Sequence, residues 1–311
     1  MATSIILDCD PGHDDAVAML LAWGSPDIDL IGVTTVFGNQ TVEKVTRNAL
    51  SVAAIAGITG VPFAMGADRP LVREVETAGT IHGESGLDGP ALPDAAFDLD
   101  GRHAVQFLID EIMSRPEGTV TLVPTAALTN IALAARLEPR IVPRVKEVVL
   151  MGGGYGGGNW TAAAEFNILI DPEAAHVVFG AGWPVTMVGL DVTHQALATP
   201  AVVEGIASIG TPVSRFVEEL MEFFGETYKD QQGFDSPPVH DPVAVAYVID
   251  PSVLTVRRAP VSIELTGTHT LGMTLADLRA PAPEGTTTSI ATAIDAPRFW
   301  ELVTDAIRRL G

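Results

Sequence analysis

The chain has 311 residues, and 18 Lys+Arg against 39 Asp+Glu leave a formal charge of −21 at pH 7. So acidic a surface repels phosphate backbones, which argues against nucleic acid as the main ligand. With 47% hydrophobic and 18% charged residues the chain can bury a large core, and disorder is excluded as its main state.

Short apolar runs alternate with stretches of helical period, the signature of βαβ units and a mostly parallel sheet. In chain order the pattern predicts a strand at Ile5–Leu7, a helix at Asp14–Trp23, a strand at Leu30–Thr35 and a helix at Val42–Ala56. A helix at His103–Arg115, a strand at Thr119–Val123, a helix at Leu128–Arg136 and a strand at Glu147–Met151 follow. A helix at Pro172–Ala181 and a strand at Val185–Val188 complete the alternation. The last third reads differently. Helices are expected at Pro200–Ser208, Val213–Tyr228 and Pro242–Val248, short β segments near Val261–Leu265 and Thr270–Thr274, an exposed loop at Ala280–Thr288, and an amphipathic helix at Arg298–Leu310.

No linker or internal repeat divides the chain, so the expectation is one α/β domain over residues 1–311. It combines an open, mostly parallel, Rossmann-like sheet with a helical C-terminal part. Apolar runs such as Ala16–Trp23 fall short of the roughly 20 residues that span a bilayer, so no membrane is expected as a partner. Cys9 is the only cysteine, so no intrachain disulfide is possible, and no secretory pattern precedes Asp8. The cytoplasm is the expected compartment.

The strongest chemical signal is Asp8-Cys9-Asp10-Pro11-Gly12-His13-Asp14-Asp15, with four carboxylates in eight residues at a strand-to-helix junction. Carboxylates crowded in this way repel one another unless a cation sits among them. The junction also lies where open α/β sheets bind ligands, beyond the C-terminal ends of the strands. An EF-hand fails, since the twelfth position from Asp8 is Met19 and Pro11 interrupts the loop. A metal-dependent phosphohydrolase of the haloacid dehalogenase type also carries Asp-x-Asp after its first strand. It needs a later Lys, however, and Lys44, Lys146 and Lys229 are the only candidates. It stands as the alternative. A binding module with a dead site is a third reading, against which the intact Asp10, Asp15 and Asp241 argue.

Asp10, Asp14 and Asp15 in this segment resemble the N-terminal signature of the nucleoside hydrolases, the inosine-uridine-preferring nucleoside N-ribohydrolases. Five further segments match in order and spacing: VTTVFGN at 33–39, IHGESGLDGP at 81–90, PTAALTNIA at 124–132, MGGGYGGGNWTAAAEFNILIDP at 151–172 and VHDPVAVAYVIDP at 239–251. The resemblance implies hydrolysis of the N-glycosidic bond of ribonucleosides to ribose and free base through an oxocarbenium-like transition state, in a nucleoside salvage role. It implies Ca²⁺ held by Asp10, Asp15, the Thr125 carbonyl and Asp241, with Asp10 taking a proton from a metal-bound water. It implies a ribose grip by Asp14, Asn39, Asn159, Glu165, Asn167 and Asp241, and base contacts from His82, Tyr228 and His240, with His240 assisting the departing base. The expected partner is a small-molecule ribonucleoside. A homo-oligomer, dimer or tetramer, is likewise implied.

The residues leave several roles open. Asp8 either orients Asp10 or serves the strand, and Cys9 alternates away from both into the core. Asn39 after Gly38 would in isolation be a turn residue. Alternation in Glu165-Phe166-Asn167 places Glu165 and Asn167 on one side of an extended segment, with Phe166 opposite. Gly152–Gly158 satisfies G-x-G-x-x-G only formally, because no helix opens after it, and reads as a flexible loop bordering the sugar. Phe224, Tyr228 and Gln232 share one helix face, either as core or with the Tyr228 ring covering the base. Ala126-Ala127 replaces the glycine many relatives carry, which bears on the turn at Thr125. His103, His176, His194 and His269 are assigned to surface or packing.

Overall fold

A computed structural model describes residues 2–93 and 98–311. Met1 and residues 94–97, which the single-domain expectation over 1–311 includes, lie outside the described residues. Ten strands are named here in chain order: β1 Thr3–Cys9, β2 Ile28–Thr35, β3 Phe63–Met65, β4 Val120–Pro124, β5 Val145–Met151, β6 Val185–Val188, β7 Leu254–Arg258, β8 Val261–Ile263, β9 Thr274–Ala276 and β10 Thr288–Ile294. Eight form one open sheet in the order β3-β2-β1-β4-β5-β6-β10-β7, while β8 and β9 pair antiparallel beside it. Every pairing in the large sheet is parallel except β10 with the edge strand β7. The fold is α/β with an open, mostly parallel sheet.

The central strands are apolar on both faces because helices cover both. Along β1, Ile5 and Leu7 pack into one core while Ile6 packs into the other, and in β5 Val149 and Met151 oppose Val148 and Leu150. The first core holds the helices His13–Gly24, Val42–Ala56, Pro212–Gln232 and Ala296–Arg309; the second holds Ala104–Ser114, Thr129–Leu137 and Pro172–Gly180. Position in the sheet sets the site. The chain leaves β1 toward β2 and β3 and returns to β4 on the other side, so the connections diverge between β1 and β4. Such a divergence opens a crevice at the strand ends. Asp8 lies opposite Pro124 there, and the Thr125 amide donates to the Asp8 carbonyl at 2.8 Å.

Three expectations are corrected. Ala280–Thr288 is not wholly loop, because Thr288 begins β10 and its hydroxyl bonds to the Ala259 carbonyl. The β segment expected near Thr270–Thr274 lies at Thr274–Ala276, with Thr270 in the preceding turn. Glu165-Phe166-Asn167 is not extended: Glu165 caps the short helix Phe166–Leu169 by accepting from the Asn167 and Ile168 amides. The predicted helix at Val213–Tyr228 continues to Gln232, so Phe224, Tyr228 and Gln232 do share a helix.

Gly24 ends the first helix against the closing one, and a methyl group added there would sit 2.5 Å from the Ala306 carbonyl oxygen. Backbone cannot swing aside as a side chain can, so Gly24→Ala should cost about 1–3 kcal/mol of unfolding free energy. A lower midpoint in urea at unchanged slope would show this, whereas an unchanged midpoint would mean that the helices separate freely.

Candidate active site

The crevice is lined by polar side chains that include Asp14, Asn39, Thr125, Glu165, Asn167 and Asp241. Its floor comes from the turn after β1. Pro11-Gly12 ends the strand, and Gly12 caps the helix His13–Gly24 with its amide donating to the Asp15 carboxylate at 3.2 Å. Asp14 and Asp15 therefore stand in the first helical turn, where the helix dipole favours negative charge. Asp241 caps a second helix, Pro242–Ile249, yet makes no side-chain capping bond, which leaves its carboxylate to the crevice. Side-chain oxygens of Asp14, Asp15 and Asp241 all lie within 4.8 Å of one another.

Asp10 and Asp15 are fixed by hydrogen bonds. The Asn39 amide donates to Asp10 Oδ2 at 2.6 Å, and Asn39 Nδ2 donates to Asp15 Oδ2 at 3.1 Å. Thr125 Oγ1 donates to Asp15 Oδ1 at 2.9 Å. A methyl group on Gly38 would collide with Asp10 Oδ2, so the absent side chain is what lets the Asn39 amide reach Asp10. All four acids are buried. Burial first, then the Asp15 charge, pushes Asp10 well up and Asp14 up to about 7; Asp15 is raised by burial, and Asp241 is driven well up by burial and then Asp14. Without a positive charge these groups cannot ionise together. The donor set is hard oxygen, with no thiolate or imidazole among the three clustered acids, and that chemistry fits a divalent cation. The Thr125 carbonyl accepts from Asn167 Nδ2 at 3.0 Å and lies beside the cluster. Ala126 and Ala127, next to Thr125, are buried.

Asp8 sits behind the floor. Thr34 Oγ1 and Asn130 Nδ2 donate to its Oδ1 at 2.6 and 2.8 Å, while Oδ2 is buried without a partner, and burial pushes the group up to about 7. Asn130 also donates to the Thr35 carbonyl, so the pair ties β1 to the end of β2. The nucleophile that the phosphohydrolase reading requires at Asp8 is thus sealed from the crevice, and no Lys lines it among the described residues. That reading is not supported.

The wall opposite the acids follows β5. Glu165 accepts from the Gly153 amide at 2.8 Å, and Asn159 Oδ1 accepts from the Phe166 amide at 3.0 Å, which ties the Gly152–Gly158 loop to the start of the helix Phe166–Leu169. Asn39, Asn159, Glu165 and Asn167 all line it, as do Asp14, Thr125 and Asp241. Phe166, expected to face away, lines it too, with Trp160 packed at 4.7 Å between ring centroids.

His82, Tyr228, Gln232 and His240 form the remaining side. His82 Nδ1 lies 3.1 Å from His13 Nδ1, and the His13 ring stacks on Phe223 and Phe224. His240 reaches the crevice less directly than expected. Its Nδ1 is 2.8 Å from Thr193 Oγ1 and its Nε2 is 2.9 Å from the Tyr228 hydroxyl, while its amide donates to Asp14 Oδ2 at 3.2 Å. Burial, then the neighbouring His194, pulls its pKa down to about 3. His194, assigned to packing, meets His240 edge-on at 5.6 Å. Sequence reasoning passed over His13, Thr193, Met151, Trp160 and Asn130. His13 carried a usable signal, lying inside the acidic motif, and Thr193 a weaker one, four residues beyond Gly189 at the end of β6.

The model for the inosine-uridine preferring nucleoside hydrolases matches residues 5–301. The chain belongs to that family. It is 60% identical to the inosine-uridine preferring nucleoside hydrolase of Crithidia fasciculata and 56% identical to that of Leishmania major, each over 100% of this chain and 99% of the relative. The pyrimidine-specific ribonucleoside hydrolase RihA of Photobacterium profundum is 44% identical over 99% of both chains. Among solved structures, the purine-preferring ribonucleoside hydrolase from Gardnerella vaginalis superposes with a TM-score of 0.93 at 33% identity, again over 99% of each chain. The enzyme is therefore an N-ribohydrolase of a metal-dependent family, acting on small-molecule nucleosides, and no helix among the described residues is long and apolar enough to cross a membrane.

A cation that binds only the folded cluster adds stability as RT ln(1 + [L]/Kd), about 2.7 kcal/mol at a hundredfold excess over Kd. Metal-stripped enzyme should gain melting temperature when a divalent cation is added, and Asp241→Asn should lose most of that gain. Thermal melts across a cation titration check this; a flat response in the parent enzyme would leave the cluster without an ion.

Proposed function

We propose that this enzyme is a Ca²⁺-dependent ribonucleoside hydrolase that releases ribose and free base, with inosine and uridine as substrates. The observation that supports this most is the buried set of Asp10, Asp14, Asp15 and Asp241 beneath a crevice rimmed by amides and carboxylates. Asp10, Asp15, the Thr125 carbonyl and Asp241 are the proposed ligands, and Asp14 stands close enough to share the task. When bound, Ca²⁺ supplies charge compensation and Lewis acidity that makes water easier to deprotonate.

Asp10 is the proposed base. Its carboxylate is held by the Asn39 amide, so it meets the attacking water without reorienting. Asp14, Asn39, Asn159, Glu165, Asn167 and Asp241 are the proposed ribose contacts. A pocket of this kind rejects sugars lacking a hydroxyl because its buried polar groups are then left unpaired. The same carboxylates favour positive charge growing on the ribosyl ring as the bond to the base lengthens. Leaving-group help falls to Tyr228 and His240, with His82 at the base. Tyr228 and His240 both line the crevice, and the Tyr228 hydroxyl, with His240 Nε2 behind it at 2.9 Å, is the proposed group that meets the base. A reducing compartment, the cytoplasm, suits the lone buried Cys9, and the homo-oligomer rests on the family resemblance alone.

Ribose should appear from inosine and uridine with the purified enzyme, and 2′-deoxy analogues should be poor substrates. Asp10→Asn should lower kcat by at least roughly 10²–10⁴-fold, the usual worth of a general base. A metal-loaded Asp10→Asn enzyme with near-normal kcat would place the base elsewhere. Tyr228→Phe should slow inosine far more than a nitrophenyl riboside, whose leaving group departs unaided. Equal losses would confine Tyr228 to packing.

A further inference from the structure

Thr193 contacts neither the crevice nor the acid cluster, yet it settles how protons are arranged where the base departs. Its hydroxyl is buried, and His240 Nδ1 at 2.8 Å is its one hydrogen-bond partner among the described residues. A hydroxyl carries one hydrogen and two lone pairs, so two arrangements are possible. If His240 carried its proton on Nδ1, Thr193 would accept it, and the threonine's own O–H would be buried with nothing to receive it. If Nδ1 is bare, the hydroxyl donates to it and only a lone pair goes unused. Burying an unmet donor costs more than leaving an acceptor half-used. The neutral His240 ring then carries its proton on Nε2, a position assigned from hydrogen-bond accounting.

The consequence passes to Tyr228. Nε2 lies 2.9 Å from the phenol oxygen, so an Nε2–H donates to that oxygen, and the phenol O–H is directed to the crevice that Tyr228 lines. With the opposite tautomer the phenol would donate back to Nε2, and no donor would face the base. The geometry points to Thr193 as a positioning residue: through His240 it holds the Tyr228 O–H toward the departing base. In the step itself the glycosidic bond breaks, its electron pair goes to the base nitrogen, and the base takes the Tyr228 proton. The phenolate left behind keeps accepting the hydrogen bond from His240 Nε2–H, Nδ1 keeps accepting from Thr193, and the phenol is restored by the proton that Asp10 took from water. Local folding supports the arrangement. Segments 196–198 and 237–239 pair through the Ala198 and Val239 amides at 2.9 and 3.0 Å, which sets His240 beside Thr193 although they are 47 residues apart. This inference rests on the proposal that the crevice hydrolyses nucleosides.

Two measurements test it. Histidine labelled with ¹⁵N in the Ca²⁺-loaded wild-type enzyme, with the His240 signals assigned by their loss in His240→Gln, should show Nε2 protonated and Nδ1 bare. A proton on Nδ1 overturns the proposal, and this reading needs no Thr193 variant to fold. Thr193→Val, which keeps shape and removes the hydroxyl, should lower kcat on inosine about tenfold at little-changed KM, leave nitrophenyl riboside within about twofold, and be rescued by Thr193→Ser. Equal losses on both substrates, or none on either, overturn it, because damage to packing would not follow the leaving group. Wild-type enzyme releasing no ribose from either substrate would sink the proposed function instead, and the His240 spectrum would still decide the tautomer.

Discussion

The constraint on which the rest of the structure depends is the repulsion among Asp10, Asp14, Asp15 and Asp241, four carboxylates taken out of water. Burial alone disfavours each charge, and each charge disfavours the others. The fold answers with directed donors. The Gly12 and Asn39 amides, the Asn39 side chain and the Thr125 hydroxyl all point at Asp10 or Asp15, and two helix N-termini carry Asp14, Asp15 and Asp241. These partners orient the carboxylates without neutralising them. What remains is a concentrated negative potential at a place that admits a ligand, which suits both a divalent cation and a sugar ring acquiring positive charge.

That potential needs rigid support, and the sheet provides it. Asp8, Thr34 and Asn130 bind β1, the end of β2 and the helix after β4 beneath the acids. Glycines act by the space they leave: a side chain at Gly12 would meet His82 and Asn39, and one at Gly38 would meet Asp10. The site is thus built from close backbone approach at the strand ends.

Much of this was legible in the sequence. The alternation in Ile5–Leu7 and Glu147–Met151 named the central strands, because buried parallel strands are apolar on both faces. β7 and β10 escaped notice for the converse reason. LTVRR is an exposed edge and TSIATAI has too few large apolar side chains to set a period. Glu165-Phe166-Asn167 was misread because alternation describes a free strand, whereas a carboxylate that receives the Asn167 and Ile168 amides turns the chain into a helix. Asp14, Asn39, Thr125, Asn159, Glu165, Asn167 and Asp241 line one crevice, with Asp10 and Asp15 both held by Asn39: those up to residue 167 follow β1, β2, β4 and β5 at the same edge, and Asp241 arrives at the start of the helix Pro242–Ile249. Thr193 and His13 act through partners distant in sequence, and no local pattern announces such a pairing.

The two sides of the crevice differ in electrical character, and this difference organises the chemistry. Acids gather on the floor, while burial keeps His240 and His82 low and Tyr228 high, so these remain neutral near pH 7. A charged acid facing the base would be drawn to the carboxylates and would neutralise the field that favours the ribosyl cation. Neutral donors linked in a chain avoid that loss, since Tyr228 can give its proton while His240 donates a hydrogen bond to the phenol oxygen, and no net charge need reside beside the base beforehand. On the proposed function, separating an acidic floor from a neutral, hydrogen-bond-donating wall lets a single buried crevice favour opposite charges on the two halves of one breaking bond.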